Sequence, residues 1–215
     1  MYIPEHFEEH DVAVLHALVR SHPLGTWVTE AGGRLVVNHI PFALDATQGP
    51  LGTLRGHVAR ANGVWNGAPG QVESVVVFQG PQAYITPSWY PSKQQHGKVV
   101  PTWNYAVVHA HGTPRVVDDP EWLRQHVAAL TAVHEAGRPE PWSVADAPAQ
   151  YIDSLLRAIV GIEIPIAMLQ GKWKVSQNRT TPDRLGVVAG LRESPVEGSE
   201  RMARLVDERT NRSER

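Results

Sequence analysis

The stretch GTWVTEAGGRLVVNHIPFAL, Gly25 to Leu44, decides the fold. Gly25 to Glu30 reads as a strand and Arg34 to Leu44 as its return. Ala31-Gly32-Gly33 between them supplies a tight turn, because glycine takes positive φ without a Cβ clash. Thr53 to Ala59 reads as a third strand, followed by a glycine-rich loop to Gln71. Val72 to Gln79 (VESVVVFQ) has the β-branched run of a central strand, and Gly80-Pro81 reads as a turn into Gln82 to Thr86. Thr102 to Val117 reads as one long strand, and Ile159 to Val175 as a strand pair. A meander of about six strands with short turns predicts a closed or half-closed antiparallel barrel. Helices are expected around it. His6 to Arg20 carries Val12, Leu15, Leu18 and Val19 at helical spacing. Asp119 caps a second helix with Pro120 in its first turn, Leu123, Val127 and Leu130 as its apolar stripe, and Gly137 as its stop. Tyr151 to Ala158 reads as another helix, and a short amphipathic one is expected at Met202 to Val206 in a charged, fraying tail.

The chain has 215 residues, a formal net charge of −2 and 20% charged residues, which fits a globular protein with a real core. That charge does not predict an extended nucleic-acid surface. The absence of cysteine excludes disulfides, thiolate metal sites and a cysteine nucleophile. The acidic start, MYIPEHFEEHDV, lacks the basic-then-apolar order of a secretory signal. No apolar run approaches the roughly 18 residues that a membrane span needs. A cytoplasmic protein without membrane contact is expected.

The distribution of charge says more than its total. From Ala46 to Val117 the only carboxylate is Glu73, while Arg55, Arg60, Lys93, Lys98, Arg115 and four histidines share the same stretch. A second acid-free segment, GKWKVSQNRT (Gly171 to Thr180), holds Lys172, Lys174 and Arg179. Sheet core tolerates few charges of either sign and accounts for part of this. The excess of cations favours an anion site, since phosphate is held by fixed cationic and N–H donors. Within the acid-poor middle lies PSWYPSKQQHGKVVPTWNY, Pro87 to Tyr105, with two Trp, two Tyr, three Pro and no acid. Ser88, Tyr90 and Lys93 are its donors and Trp89 a flat wall, with Trp103 and Asn104 opening the next strand. A planar ring with a phosphate tail suits these groups, as does plain packing under a long loop.

Dinucleotide, P-loop, zincin and hydrolase-elbow motifs are all missing. His109 and His111 share one strand face, an arrangement commoner in packing than in metal binding. His39 ends a strand just before a proline. In RGHVARAN, Arg55 and His57 share a strand face while Arg60 and Asn62 extend past its end. These are either a phosphate cradle or ordinary surface charges.

With NHIPF, GHVARAN, FQGPQAYITPSWYPSK, GKVVPTWNY, HAHG, IVGIEIPI and GKWKVSQNR in this order, the chain resembles the PaiB family of FMN-binding negative transcriptional regulators from Met1 to about Leu191. The resemblance implies an α+β fold, an antiparallel split β-barrel with flanking helices, assembled as a homodimer with FMN near the interface. It makes residues 1–191 one FMN-binding domain and residues 192–215 a charged tail. It places His57, Arg60 and Asn62 near the flavin phosphate, and Ser88, Tyr90, Lys93, Trp103 and Asn104 in the cofactor pocket. Lys174, Ser176 and Gln177 are then expected from the partner subunit. His39 joins this set and, with Tyr105, His109 and His111, is a candidate proton donor at the ring. The family role implies DNA contact, yet no helix here has a basic recognition face. A small FMN-dependent oxidoreductase using NAD(P)H is the competing reading, and haem bound by one of the histidines a third.

Overall fold

The computed structural model describes residues 1–66 and 72–212, with the side chains of the last two outside the description; the end of the expected glycine-rich loop, residues 67–71, also lies outside it. In chain order the elements are β1 (Glu8–Glu9), α1 (Val12–Ser21), β2 (Leu24–Ala31), β3 (Arg34–Pro41), β4 (Ala43–Asp45), β5 (Thr53–Ala59), β6 (Ser74–Ile85), α2 (Ser92–His96), β7 (Thr102–Gly112), β8 (Arg115–Val117), α3 (Pro120–Glu135), α4 (Ala149–Leu156), β9 (Ile159–Pro165), β10 (Met168–Lys174), α5 (Thr181–Glu193) and α6 (Ser199–Arg212). The architecture is α+β with antiparallel sheets, of the split-barrel type. It divides into two compact units. The first takes Met1–Leu18, Gln79–Val108 and the chain from Gln170 on; the second takes Val19–Phe78 and His109–Leu169.

In the second unit, β2 and β3 form the hairpin that opens the sequence reading, in register from Leu24↔Pro41 to Ala31↔Arg34. Gly32 and Gly33 make its two-residue turn at φ 60° and 75°. The returning strand is shorter than Arg34 to Leu44. It stops at Pro41, Phe42 N donates to Pro23 O at 2.9 Å, and β4 belongs to a different sheet, ordered β4-β5-β9-β8. Phe42 turns inward to meet Phe78 edge-on at 6.2 Å, in a core that includes Trp27, Leu54, Val76, Ile162 and Ile164. The predicted long strand to Val117 likewise breaks after Gly112, where a Cβ would collide with Pro165 O. Asp119 caps α3 by accepting from the N–H groups of Glu121 and Trp122 at 2.8 and 3.0 Å, a contribution of about 1 kcal/mol. Leu123 of α3 packs with Ile152 and Leu156 of α4 in a small core of its own.

In the first unit, β1, β10, β7 and β6 lie side by side in that order. The helix expected from His6 begins only at Val12. His6 falls in a 3-10 turn, and Glu8 and Glu9 pair with Lys172 and Gly171 of β10. The expected turn at Gly80-Pro81 is continuous strand. β2 pairs only with Val75, Val76 and Val77, so the missing N–H of Pro81 breaks no bond to β2. Gly80 is there for space, since a Cβ would meet Leu18 at 2.8 Å and Ala106 O at 3.1 Å. The chain after Thr180 forms two helices, α5 and a longer α6 that contains the short helix expected at Met202 to Val206. Val187, Val188 and Leu191 of α5 and Met202, Ala203 and Val206 of α6 are buried where the two helices pack.

Candidate functional site

The acid-poor loop lies wholly in the first unit. After β6, Thr86 Oγ1 accepts from Ser88 N at 3.3 Å and starts a 3-10 turn, Pro87–Trp89. The short helix α2 follows and ends at Gly97, φ 66°. Ser88 and Lys93 meet at the exposed surface, Lys93 Nζ donating to Ser88 Oγ at 3.3 Å. Tyr90 is buried, with the Arg179 guanidinium 4.8 Å from its ring centre. Burial pushes its phenol up, against the opposing charge of Arg179. Trp103 is half exposed, its indole N–H on Gln82 Oε1 at 3.1 Å and its ring 6.1 Å from that of Tyr84.

Behind this surface sits a buried polar group. Asn104 is 1% exposed; its Nδ2 donates to Ser176 Oγ at 2.9 Å, but its buried Oδ1 has no hydrogen-bond partner among the described residues. An orphaned buried acceptor costs about 1–3 kcal/mol. Ser176 is held at φ 67°, a left-handed conformation unusual outside glycine. Beside it, Lys174 Nζ donates to Thr102 Oγ1 at 2.5 Å, and burial pulls its ammonium below the usual lysine range. Gln177 folds back on its own strand end, accepting from Val175 N at 2.7 Å and donating to Trp173 O. Asn104 is thus bonded to Ser176, and Lys174 to Thr102 on the neighbouring strand. Sequence reasoning counted Arg179 among the cations of an acid-free segment but missed Asp183. The signal was present: Thr180-Thr181-Pro182-Asp183 has the cap, first-turn proline and acid of a helix start.

The other four expected residues lie in the second unit. His39 is exposed on β3. Arg60 places its guanidinium fork on Asp118, NH1 to Oδ2 at 2.9 Å and NH2 to Oδ1 at 2.5 Å, and its Nε and NH2 also donate to the carbonyls of Arg157 and Ile159. The bridge raises the Arg60 pKa and lowers that of Asp118. Asn62 donates to Asn38 Oδ1 at 2.8 Å and accepts from Val64 N at 3.1 Å. His57 Nδ1 faces His126 Nε2 at 3.2 Å, and His126 stacks on Trp122 at 5.1 Å between ring centres. Burial, then the charges of His57 and Arg55, pull His126 down to about 4. The rings of His109 and His111 are 6.3 Å apart. Among the described residues no group of three or more His, Asp or Glu side chains is placed to hold a metal ion.

Residues 1–168 match the family described as "Putative FMN-binding domain". The chain is 35% identical to an uncharacterized protein of Emericella nidulans, over 97% of each chain. It is 29% identical to the protease synthase and sporulation protein PAI 2 of Bacillus subtilis, over 97% of this chain and 98% of that one. The chain belongs to the FMN-binding PaiB family. Its fold is similar to that of the flavocytochrome Anf3 from Azotobacter vinelandii, with a TM-score of 0.59 and 13% identity over 80% of this chain and 72% of that one.

FMN is the cofactor of this PaiB-family chain. The orphaned Asn104 carbonyl calls for a donor, and a flavin ring carries an N–H on its polar edge. Ser88 and Lys93 would hold the phosphate tail, and Tyr90 and Trp103 would flank the ring. Bound FMN supplies one- and two-electron redox chemistry; the chain supplies its binding and electrostatics.

Proposed function

We propose that this protein is a regulatory flavoprotein acting on transcription, a homodimer whose cofactor site is centred on Asn104. The observation that carries the cofactor assignment is the buried, partnerless Asn104 Oδ1 behind an aromatic, carboxylate-free surface. The regulatory half rests on the end-to-end similarity to a Bacillus protein named for protease synthesis and sporulation. His39, His57, Arg60 and Asn62 belong to the second unit, where the Arg60 fork is on Asp118 and Asn62 is bonded to Asn38 and Val64, and this reading leaves them outside the cofactor site. DNA contact, if direct, would use a surface of the dimer rather than a helix-turn-helix. A second reading, a small FMN-dependent oxidoreductase using NAD(P)H, is favoured by the half-exposed Trp103–Tyr84 pair, an aromatic surface on which another planar molecule can stack.

The test begins with the visible absorption spectrum of the purified protein, with any pigment released by denaturation and identified. A flavin spectrum with FMN in the supernatant is the expected result, and a colourless protein that ignores added FMN would overturn the assignment. A Soret band would point to haem instead. The loaded protein is then compared with a strain lacking it. Altered transcript levels without NAD(P)H oxidation support the regulator, and turnover with an electron acceptor supports the enzyme.

A further inference from the structure

The PSWYPSK loop is clamped by a helix that the family match does not include. That match ends at residue 168, and α5 begins at Thr181. Arg179, Asp183, Gly186 and Gly190 recur at intervals of three or four residues, which aligns them along one side of the chain entering and forming the helix. Each meets a different part of the loop. The Arg179 guanidinium lies over the Tyr90 ring. The buried Asp183 carboxylate accepts from Ser92 N at 3.1 Å and Ser92 Oγ at 2.8 Å, and so caps α2 from outside. A Cβ on Gly186 would stand 2.1 Å from Trp89 O, and one on Gly190 would stand 2.4 Å from three atoms of the Trp89 ring. Trp89 therefore lies in a groove that exists only because both positions lack a side chain. Backbone bonds within the loop, such as Lys93 N to Tyr90 O and Gly97 N to Lys93 O, each 3.0 Å, shape its turns, but its side-chain bonds around Ser88, from Lys93 and Thr86, are long and exposed and do not fix where those turns lie.

We infer that Asp183, Gly186 and Gly190 of α5 are positioning residues for the cofactor loop, fixing the arrangement of Ser88, Tyr90 and Lys93 before FMN arrives. This rests on the proposed reading of that loop as the FMN site. A loop ordered in advance binds more tightly because less conformational freedom is lost on binding. Asp183, Gly186 and Gly190 touch no ligand in this scheme and act through Ser92 and Trp89.

The experiment uses the full chain and three variants, Asp183→Ala, Asp183→Asn and Gly190→Ala. Amide hydrogen exchange over residues 86–97 is followed without FMN, and FMN is then titrated by its fluorescence and by the visible circular dichroism of the bound flavin. The two alanine variants are expected to speed loop exchange by about tenfold or more while β5 and β9 keep their protection. They should weaken FMN by about tenfold and alter the flavin dichroism, whereas Asp183→Asn, which still offers an acceptor to Ser92, stays within about twofold of the parent. Unchanged loop exchange in both alanine variants would sink the clamp. Faster exchange with unaltered FMN affinity and dichroism would make α5 a structural element only. A parent chain that takes up no FMN would instead overturn the cofactor reading and this role with it, an outcome visible before any variant is compared.

Discussion

Two motif-rich stretches, Gly56 to Asn62 in the second unit and Pro87 to Asn104 in the first, treat their polar side chains in opposite ways. In the former, the Arg60 fork is closed on Asp118, Asn62 is used up by Asn38 and Val64, and His57 is turned to His126. In the latter, Asn104 keeps an unanswered carbonyl, Trp103 is half exposed, and Lys93 makes one long bond at the surface. Both stretches look equally suited to a phosphate when read as residue types. Spare hydrogen-bonding capacity separates a group that holds the fold from a group ready for a ligand.

That contrast predicts that changes in the second unit move stability while changes in the first move FMN affinity. The largest expected effect is on acid stability. The ordinary value for His126 is 6.5 and the folded value about 4, so between them the unfolded chain binds a proton that the folded chain does not. Its contribution is complete above pH 6.5 and is lost as the pH falls toward 4, with a slope approaching about 1.4 kcal/mol per pH unit. Urea unfolding across this range should show the slope, and His126→Gln should flatten it without changing FMN affinity at neutral pH. Next, Lys93→Ala should weaken FMN by about 1.5–3 kcal/mol if the ammonium bonds the phosphate, measured by flavin fluorescence at two salt concentrations. The melting temperature of the FMN-free protein should not move. Asn104→Leu should cost FMN about tenfold in Kd with little change in apo stability, because removing the orphaned carbonyl is offset by the lost bond to the buried Ser176 Oγ. Smallest is the expected effect of Arg60→Ala on FMN, within about twofold, with thermal stability lowered by a few degrees. A loss of FMN affinity as large as that of Lys93→Ala would return Arg60 to the phosphate and erase the contrast between the two stretches.

Much of the fold is legible because its signals are local. β5 runs from Thr53 to Ala59 as the sequence reading places it, the Gly32-Gly33 turn takes the positive φ that its residues permit, and Asp119-Pro120 starts α3 where the cap chemistry puts it. The misreadings arise where a distant partner decides. Glu8 and Glu9 leave the helical pattern because β10 pairs with them, and Gly80-Pro81 stays extended inside β6, with Gly80 packed against Leu18 and Ala106. The helix α5 has no counterpart in the sequence reading, because Gly186 and Gly190 interrupt its apolar residues, Val187, Val188 and Leu191, and only Trp89 lying on them explains those glycines.

The sequence by itself determined the antiparallel class and the family, and it singled out the segment proposed for the cofactor. All three depend on residue types in order along the chain, and these are read without knowing what lies opposite. Only the tertiary structure decided which of the candidate donors are free. A guanidinium or an amide has a fixed number of hydrogen-bonding groups, and whether Asp118 or a ligand fills them depends on residues far away in sequence that folding brings within about 3 Å. Arg60 and Asn104 are alike in being polar and well placed in a motif; one is closed by Asp118, and the other is left with an open carbonyl.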